Sequence, residues 1–89
     1  MIEQVLKIEN RLGLHARPAA LIAQTAAKFQ SDVFLTKDQI TINAKSIMGV
    51  MMLAAEFGSS LCLKVEGCDE KEAFEALKKV FDDKFNEEF

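Results

Sequence analysis

Alternating hydrophobic and polar residues predict four β-strands, one within residues 4–10, two within residues 31–43 around a turn at 37–39, and one within residues 59–67. Each stretch has hydrophobic side chains at every second position, which is typical of a strand that is buried on one face only. The hydrophobic positions that alternate in this way are Leu6, Ile8, Val33, Leu35, Ile40, Ile42, Leu61, Leu63 and Val65.

Helical spacing of hydrophobic residues predicts three further elements. Residues 16–29 form an amphipathic, alanine-rich helix with Arg17 on its polar side. A short helix follows Ser46, which is suited to be its N-cap. Residues 68–85 predict a last helix with Asp69 as N-cap and acidic residues in its first turn, where the helix dipole favours negative charge.

The predicted order of elements is β-α-β-β-α-β-α, and each of them has one hydrophobic face. A single antiparallel sheet of four strands, with the three helices on one side, buries all of these faces and leaves the other side of the sheet in water. We therefore expect an α+β fold that forms a single domain over residues 1–89, because this length suits one domain and no more.

Composition is that of an ordinary globular protein, with 49% hydrophobic and 28% charged residues. The N-terminal stretch lacks the long hydrophobic core of a signal peptide or a membrane span, so we expect a cytoplasmic protein without membrane insertion. Cys62 and Cys68 match neither a redox pair nor a zinc site, and a single histidine cannot complete a metal shell. We expect reduced thiols and no metal.

The net charge of −3 is unevenly distributed along the chain. Residues 69–89 contain eight acidic residues and four lysines, whereas residues 10–55 contain five basic and two acidic residues, a net charge of +3. The basic part contains the only histidine and is suited to an acidic protein partner. A nucleic-acid partner is not expected, because the chain has no dense basic stripe and its overall charge is negative.

The single histidine, His15, lies where the first helix begins, with Arg17 two residues later. Pro18 stiffens the first turn, and Gly13 lets the preceding loop bend. A helix N-terminus offers unpaired N–H groups and a partial positive charge, and a neutral imidazole is nucleophilic near neutral pH. This position therefore suits a phosphoryl group carried on His15 and stabilised by Arg17. The spacing alone leaves a second interpretation open, in which His15 is only a cap or a surface residue.

The short helix after Ser46 has two features that bear on function. Ser46 can cap it, and the helix dipole would also favour a phosphate there, so a structural and a regulatory role are both open. Val50 and Leu53 can face the core together, but a helix of about two turns cannot also bury its other hydrophobic residues. We expect an exposed patch that suits binding of partner proteins, comprising Ile47, Met48, Met51 and Met52.

Several catalytic motifs are missing from the sequence. It contains no glycine-rich nucleotide loop, no metalloprotease motif and no carboxylate pair near a nucleophile, so no cofactor is expected. If this domain carries phosphate, other proteins supply and remove it, and the domain is not a catalyst on its own.

Two stretches, GLHARPAALIAQTAAKF at residues 13–29 and INAKSIMGVMML at residues 42–53, closely resemble the two signature regions of HPr. HPr is the histidine-containing phosphocarrier family of the bacterial phosphoenolpyruvate-dependent sugar phosphotransferase system. The resemblance extends over nearly the whole chain and implies an HPr-like open-faced β-sandwich. It also implies that His15 accepts a phosphoryl group from Enzyme I on its Nδ1 atom, with Arg17 assisting, and passes it to IIA proteins.

The same resemblance implies a regulatory role for Ser46. In Gram-positive and some other bacteria, HPr kinase/phosphorylase phosphorylates this serine, and in the Gram-positive branch the phosphorylated form binds a catabolite-control transcription factor. The exposed patch after Ser46 then serves as a docking surface for several partners. An alternative is a regulatory binding module, controlled by Ser46 phosphorylation, in a bacterium with an incomplete sugar transport system.

The sequence departs from the family pattern at a few positions. Met52 replaces a residue that is often Ser or Thr, Ala54 replaces one that is often Gly, and the turn at 38–39 lacks its common Gly. The first two changes border the docking surface and leave the identity of the partners open. The C-terminal stretch DDKFNEEF, residues 82–89, has no counterpart in the pattern.

Overall fold

The structure, a computed structural model that describes residues 1–87, contains the seven predicted elements in the predicted order. Their bounds are β1 Ile2–Lys7, α1 Ala16–Ala27, β2 Asp32–Lys37, β3 Ile40–Asn43, α2 Ile47–Met52, β4 Ser60–Glu66 and α3 Glu70–Asp82. The strands form one antiparallel sheet in the order β1-β4-β2-β3. The predicted α+β fold is therefore confirmed.

Strand register places the hydrophobic faces of neighbouring strands side by side. Leu6 of β1 lies opposite Leu61 of β4, and Val33 of β2 lies opposite Val65 of β4. Because successive side chains point to opposite faces of a strand, the residues between these positions are exposed or only partly buried. One hydrophobic core fills the space between the buried face and the helices, which contribute Ala19, Ile22, Ala26, Val50, Ala73, Leu77 and Phe81.

Two local predictions were wrong in detail. The alternation places Ile40 on the buried face of β3. Its side chain is nevertheless 50% exposed, because β3 is a short strand at the edge of the sheet. Helix α1 ends at Ala27 rather than at residue 29, and Phe29 packs against the core from the loop that follows. At Phe29 the hydrophobic pattern therefore continues past the end of the helix.

The C-terminal segment departs most from its prediction. The helix predicted over residues 68–85 ends at Asp82, and residues 84–86 adopt left-handed backbone with φ of 52°, 57° and 61°. This conformation costs about 1–2 kcal/mol for each non-glycine residue. It is held in place by Phe85, whose side chain is 1% exposed and whose ring lies edge-on to Phe81 with centroids 5.0 Å apart. The chain therefore turns back on itself and carries Glu87 towards the loop before α1.

Within residues 1–87 the structure contains neither a disulfide, nor a group of side chains suited to a metal ion, nor a helix suited to span a membrane. Cys62 is partly buried in β4, Cys68 is exposed before α3, and neither forms a disulfide. Among residues 1–87, no group of three or more side chains is arranged to hold a metal ion. No helix in this range is long and hydrophobic enough to cross a membrane.

Phe85→Ala is expected to lower the free energy of unfolding by about 3–5 kcal/mol, because the buried ring leaves a cavity beside Phe81. Phe57→Ala is the matched control, since Phe57 is 61% exposed and its removal should change the free energy of unfolding by less than about 0.5 kcal/mol. Denaturant unfolding followed by circular dichroism measures both. Equal losses would show that Phe85 does not anchor the C-terminal segment.

Candidate functional site

A single glycine shapes the loop between β1 and α1. Gly13 adopts a φ of +70°, and a Cβ atom at this position would lie 2.5 Å from the carbonyl oxygen of Ala55. Both the backbone conformation and this contact exclude a side chain. The next residue, Leu14, donates its N–H to the same carbonyl at 3.0 Å. The loop therefore enters α1 in a fixed direction.

His15 occupies the N-cap position of α1, but its side chain forms no capping hydrogen bond. Its backbone is extended, and its carbonyl accepts a hydrogen bond from the N–H of Ala19. Within residues 1–87 the N–H groups of Ala16 and Arg17 have no hydrogen-bond partner, and Pro18 has no N–H. The helix thus begins with two free donors and a partial positive charge, which is an arrangement that favours an anion.

The imidazole of His15 is 37% exposed and contacts the C-terminal segment. Its Nε2 atom lies 2.7 Å from Oε2 of Glu87, whose side chain is only 7% exposed. The other oxygen of Glu87 accepts a hydrogen bond from Nδ2 of the fully buried Asn10 at 2.6 Å. Glu87, which lies 72 positions further along the chain, is thereby fixed beside the histidine ring.

The pKa of Glu87 reflects these contacts. Desolvation by burial raises the pKa, but the hydrogen bonds from Asn10 and His15 and the charges of His15 and Arg17 outweigh it, so the pKa lies below its ordinary value of 4.5. Glu87 is therefore an ionised carboxylate at neutral pH.

Sequence reasoning missed both Asn10 and Glu87. The two residues lie 77 positions apart, and no local pattern joins them. Asn10 lies in the loop between β1 and α1, and its Oδ1 is buried without a partner among residues 1–87, which costs about 1–3 kcal/mol. Glu87 belongs to the C-terminal stretch that had no place in the family pattern.

Arg17 lies exposed in the first turn of α1. Its guanidinium forms no ion pair with any of residues 1–87, although its charge acts on the carboxylate of Glu87. An exposed guanidinium two residues from His15, without an ion pair in this range, is available to an incoming anion. The structure therefore places the predicted His15 and Arg17 at the same helix terminus.

Ser46 caps α2, as predicted, and is exposed. Its Oγ accepts a hydrogen bond from the N–H of Gly49 at 3.0 Å. The segment after the other end of α2 contains Ala55, which contacts the loop of His15. Ser46 and His15 are therefore associated with opposite ends of one short helix.

The exposed side chains of α2 form the predicted hydrophobic patch, while Val50 and Leu53 are buried. The exposed fractions are 42% for Ile47, 74% for Met48, 42% for Met51 and 69% for Met52. Two further exposed residues, Leu12 and Phe57, line an open depression of about 500 Å³ beside His15. Both lie in loops, where no periodic pattern could have predicted them.

Comparison with known proteins identifies the family. The family model described as the PTS HPr component phosphorylation site matches residues 2–83. This chain belongs to the HPr family. The phosphocarrier protein HPr of Treponema pallidum (strain Nichols) is 52% identical over 88 residues, which cover 99% of this chain and 100% of that protein.

Other members of the HPr family are equally similar over most of the chain. The crystal structure of HPr-C-His from Thermoanaerobacter tengcongensis matches with a TM-score of 0.95 at 49% identity and covers 100% of both chains. The HPr-like protein Crh of Bacillus subtilis (strain 168) is 51% identical over 77 residues, 86% of this chain and 91% of that protein. The resemblance inferred from the two motifs and the open-faced β-sandwich are confirmed.

The contacts of Glu87 with Asn10, His15 and Arg17 predict an acid-sensitive contribution to stability. Because the pKa of Glu87 is lower in the folded protein than its ordinary 4.5, the contribution is fully present well above 4.5 and is lost as the pH falls through the folded pKa. The difference in free energy of unfolding between wild type and Glu87→Gln should therefore shrink between about pH 5.5 and about pH 3.

Urea unfolding at several pH values measures this difference. The effect of the other acidic groups on the free energy of unfolding is common to both proteins and cancels. Glu75→Gln controls for the loss of one charge, because Glu75 is exposed on α3 and forms no ion pair within residues 1–87. A wild-type advantage over Glu87→Gln that stays constant across this range would contradict the assignment.

Proposed function

We propose that this HPr-family chain carries a phosphoryl group on His15 between Enzyme I and the IIA proteins of the sugar phosphotransferase system. The observation that carries the proposal is an imidazole at a helix N-terminus whose first two N–H groups have no partner among residues 1–87. A structural histidine would cap the helix or fill the core. This ring forms no cap and remains 37% exposed.

The surroundings of His15 suit the carried group as well as the transfer. The neutral ring acts as the nucleophile, and the phosphoryl group it accepts brings negative charge to the start of α1. The free N–H groups of Ala16 and Arg17 and the guanidinium of Arg17 can donate charge-assisted hydrogen bonds to it. Because these donors are preorganised, the phosphoryl group is stabilised without rearrangement of the helix.

We assign partner docking to the exposed patch of α2, namely Ile47, Met48, Met51 and Met52, extended by Leu12 and Phe57. Methionine side chains adapt to differently shaped partners, which suits a carrier that meets both a donor and several acceptors. The exposed cation Arg11 lines the same depression as Leu12 and Phe57 and favours acidic partner surfaces. We place the exchange in the cytoplasm, in agreement with the free thiols of Cys62 and Cys68.

A second function, regulation through Ser46, is supported by the exposed position of its hydroxyl and by the similarity to Crh. We propose that HPr kinase/phosphorylase modifies Ser46 and that a catabolite-control transcription factor binds the product. The phosphate would stay at the N-terminus of α2, where free N–H groups and the dipole favour it. Labelling of Ser46 from ATP without any transfer from Enzyme I would favour a purely regulatory module over a carrier.

Incubation with phosphoenolpyruvate and Enzyme I is expected to add one acid-labile, base-stable phosphate to the wild-type chain, detected by mass spectrometry. His15→Ala should abolish the label, because no other histidine is present. Ser46→Ala is the control and should retain it. Label that persists in His15→Ala would refute the assignment of the site.

Ser46→Asp is expected to slow phosphorylation of His15 by Enzyme I about tenfold at limiting Enzyme I, because the added charge repels an acidic partner at the docking patch. Ser46→Asn is the matched control, since asparagine caps a helix as well as serine does and adds no charge. The rates come from rapid-quench labelling. The difference should narrow at high salt, and identical rates for both variants would count against antagonism between the sites.

A further inference from the structure

Hydrogen bonds link the backbone of the loop before α1 to the ring of His15 in one continuous chain. The carbonyl oxygen of Gly13 accepts from Nδ2 of Asn10 at 2.9 Å, and the same Nδ2 donates to Oε1 of Glu87 at 2.6 Å. Oε2 of Glu87 then lies 2.7 Å from Nε2 of His15. Three of the four groups are buried or nearly so, which strengthens the chain and limits competition from water.

The direction of every bond in this chain is fixed because both the backbone carbonyl at its start and the carboxylate of Glu87 can only accept. A carbonyl can only accept, so Asn10 must turn its NH₂ group and not its oxygen towards Gly13 and Glu87. An ionised carboxylate has no proton to donate, so Nε2 of His15 must be the donor in the bond to Glu87. A neutral imidazole carries one N–H only, and Nδ1 is therefore left with its lone pair.

We infer that Glu87 is a positioning residue that holds the proton of His15 on Nε2 and thereby keeps the Nδ1 lone pair available for the phosphoryl group. The inference rests on the proposed function and adds to it the residue that selects the reacting nitrogen. Nδ1 has no hydrogen-bond partner among residues 1–87, so nothing in this range blocks it.

The phosphoryl transfer needs no reactant other than this chain and the phosphorylated donor protein. A bond forms between Nδ1 and phosphorus, and the bond from phosphorus to the donor breaks with its electron pair remaining on the donor. Nε2 keeps its proton throughout, and the ring acquires positive charge. The carboxylate of Glu87 neutralises that charge through a hydrogen bond that already exists.

The negative charge of Glu87 would by itself oppose a phosphate, and its position resolves this conflict. Glu87 bonds the nitrogen that does not react, while Arg17 and the N–H groups at the start of α1 are available to the phosphate. A carboxylate there hydrogen-bonds the ring and not the transferred group.

Glu87→Gln provides a sharp test because its amide has a defined orientation. Asn10 still offers an N–H group, so the glutamine oxygen must face Asn10 and the glutamine NH₂ must face His15. Nε2 must then accept, and the ring proton moves to Nδ1. The isosteric variant is therefore expected to be a worse phosphate acceptor than Glu87→Ala, which leaves Nε2 to water.

Two measurements decide the matter, with Glu75→Gln as the control for charge and thermal unfolding as the control for folding. Long-range ¹⁵N–¹H spectra at about pH 8, where an imidazole is neutral, report which nitrogen of His15 carries the proton. Wild type and Glu75→Gln should carry it on Nε2, and Glu87→Gln on Nδ1. If about a tenth of the Glu87→Gln molecules keep the reactive tautomer, labelling by Enzyme I should slow about tenfold.

The possible results separate this inference from the proposed function. An Nε2 proton in folded Glu87→Gln, or labelling of that variant as fast as or faster than wild type, would overturn the role of Glu87. Failure of Enzyme I to label wild-type His15 would overturn the proposed function, and the role of Glu87 in transfer with it, while the spectra would still decide whether Glu87 selects the tautomer.

Discussion

The contact between Gly13 and the carbonyl of Ala55 is the constraint on which the rest of the site depends. A backbone without a side chain at this point lets the loop approach the segment after α2 and fixes the direction in which α1 begins. His15 is extended and not helical, and within residues 1–87 the first N–H groups of α1 have no partner, as is usual at the start of a helix. The position of the histidine backbone thus follows from the packing of two loops, while the ring itself contacts Glu87.

Much of the fold could be predicted from the sequence because each element buries one face against a single core. Alternation in β1 and β4 identified the buried faces correctly, and the serine before α2 was correctly assigned as its N-cap. These features depend on neighbours within a few residues. The exposure of Ile40 depends instead on its place at the edge of the sheet, which only the order of the strands reveals.

The candidate site was predictable only in part, for the same physical reason. His15 and Arg17 are two residues apart at the start of one helix, so their common location followed from the sequence. The contact between His15 and Glu87 spans 72 residues and requires the chain to reverse after α3. That reversal uses left-handed backbone at Phe85, a position whose spacing from Phe81 is that of a continuing helix. Periodicity cannot distinguish a ring that extends a helix from one that ends it.

The anchoring of Phe85 in the core makes the chemistry of the histidine dependent on the integrity of the whole molecule. The ring of Phe85 packs on Phe81, and the chain continues from there to Glu87 within two residues. A molecule in which α3 has come loose would lose the partner of His15 while its sheet and first helix were still intact. Loss of packing in the core around Phe85 would therefore remove the Glu87 contact of His15 at an early stage of unfolding. A carrier that is partly unfolded in this way would have a histidine less well prepared for the transfer.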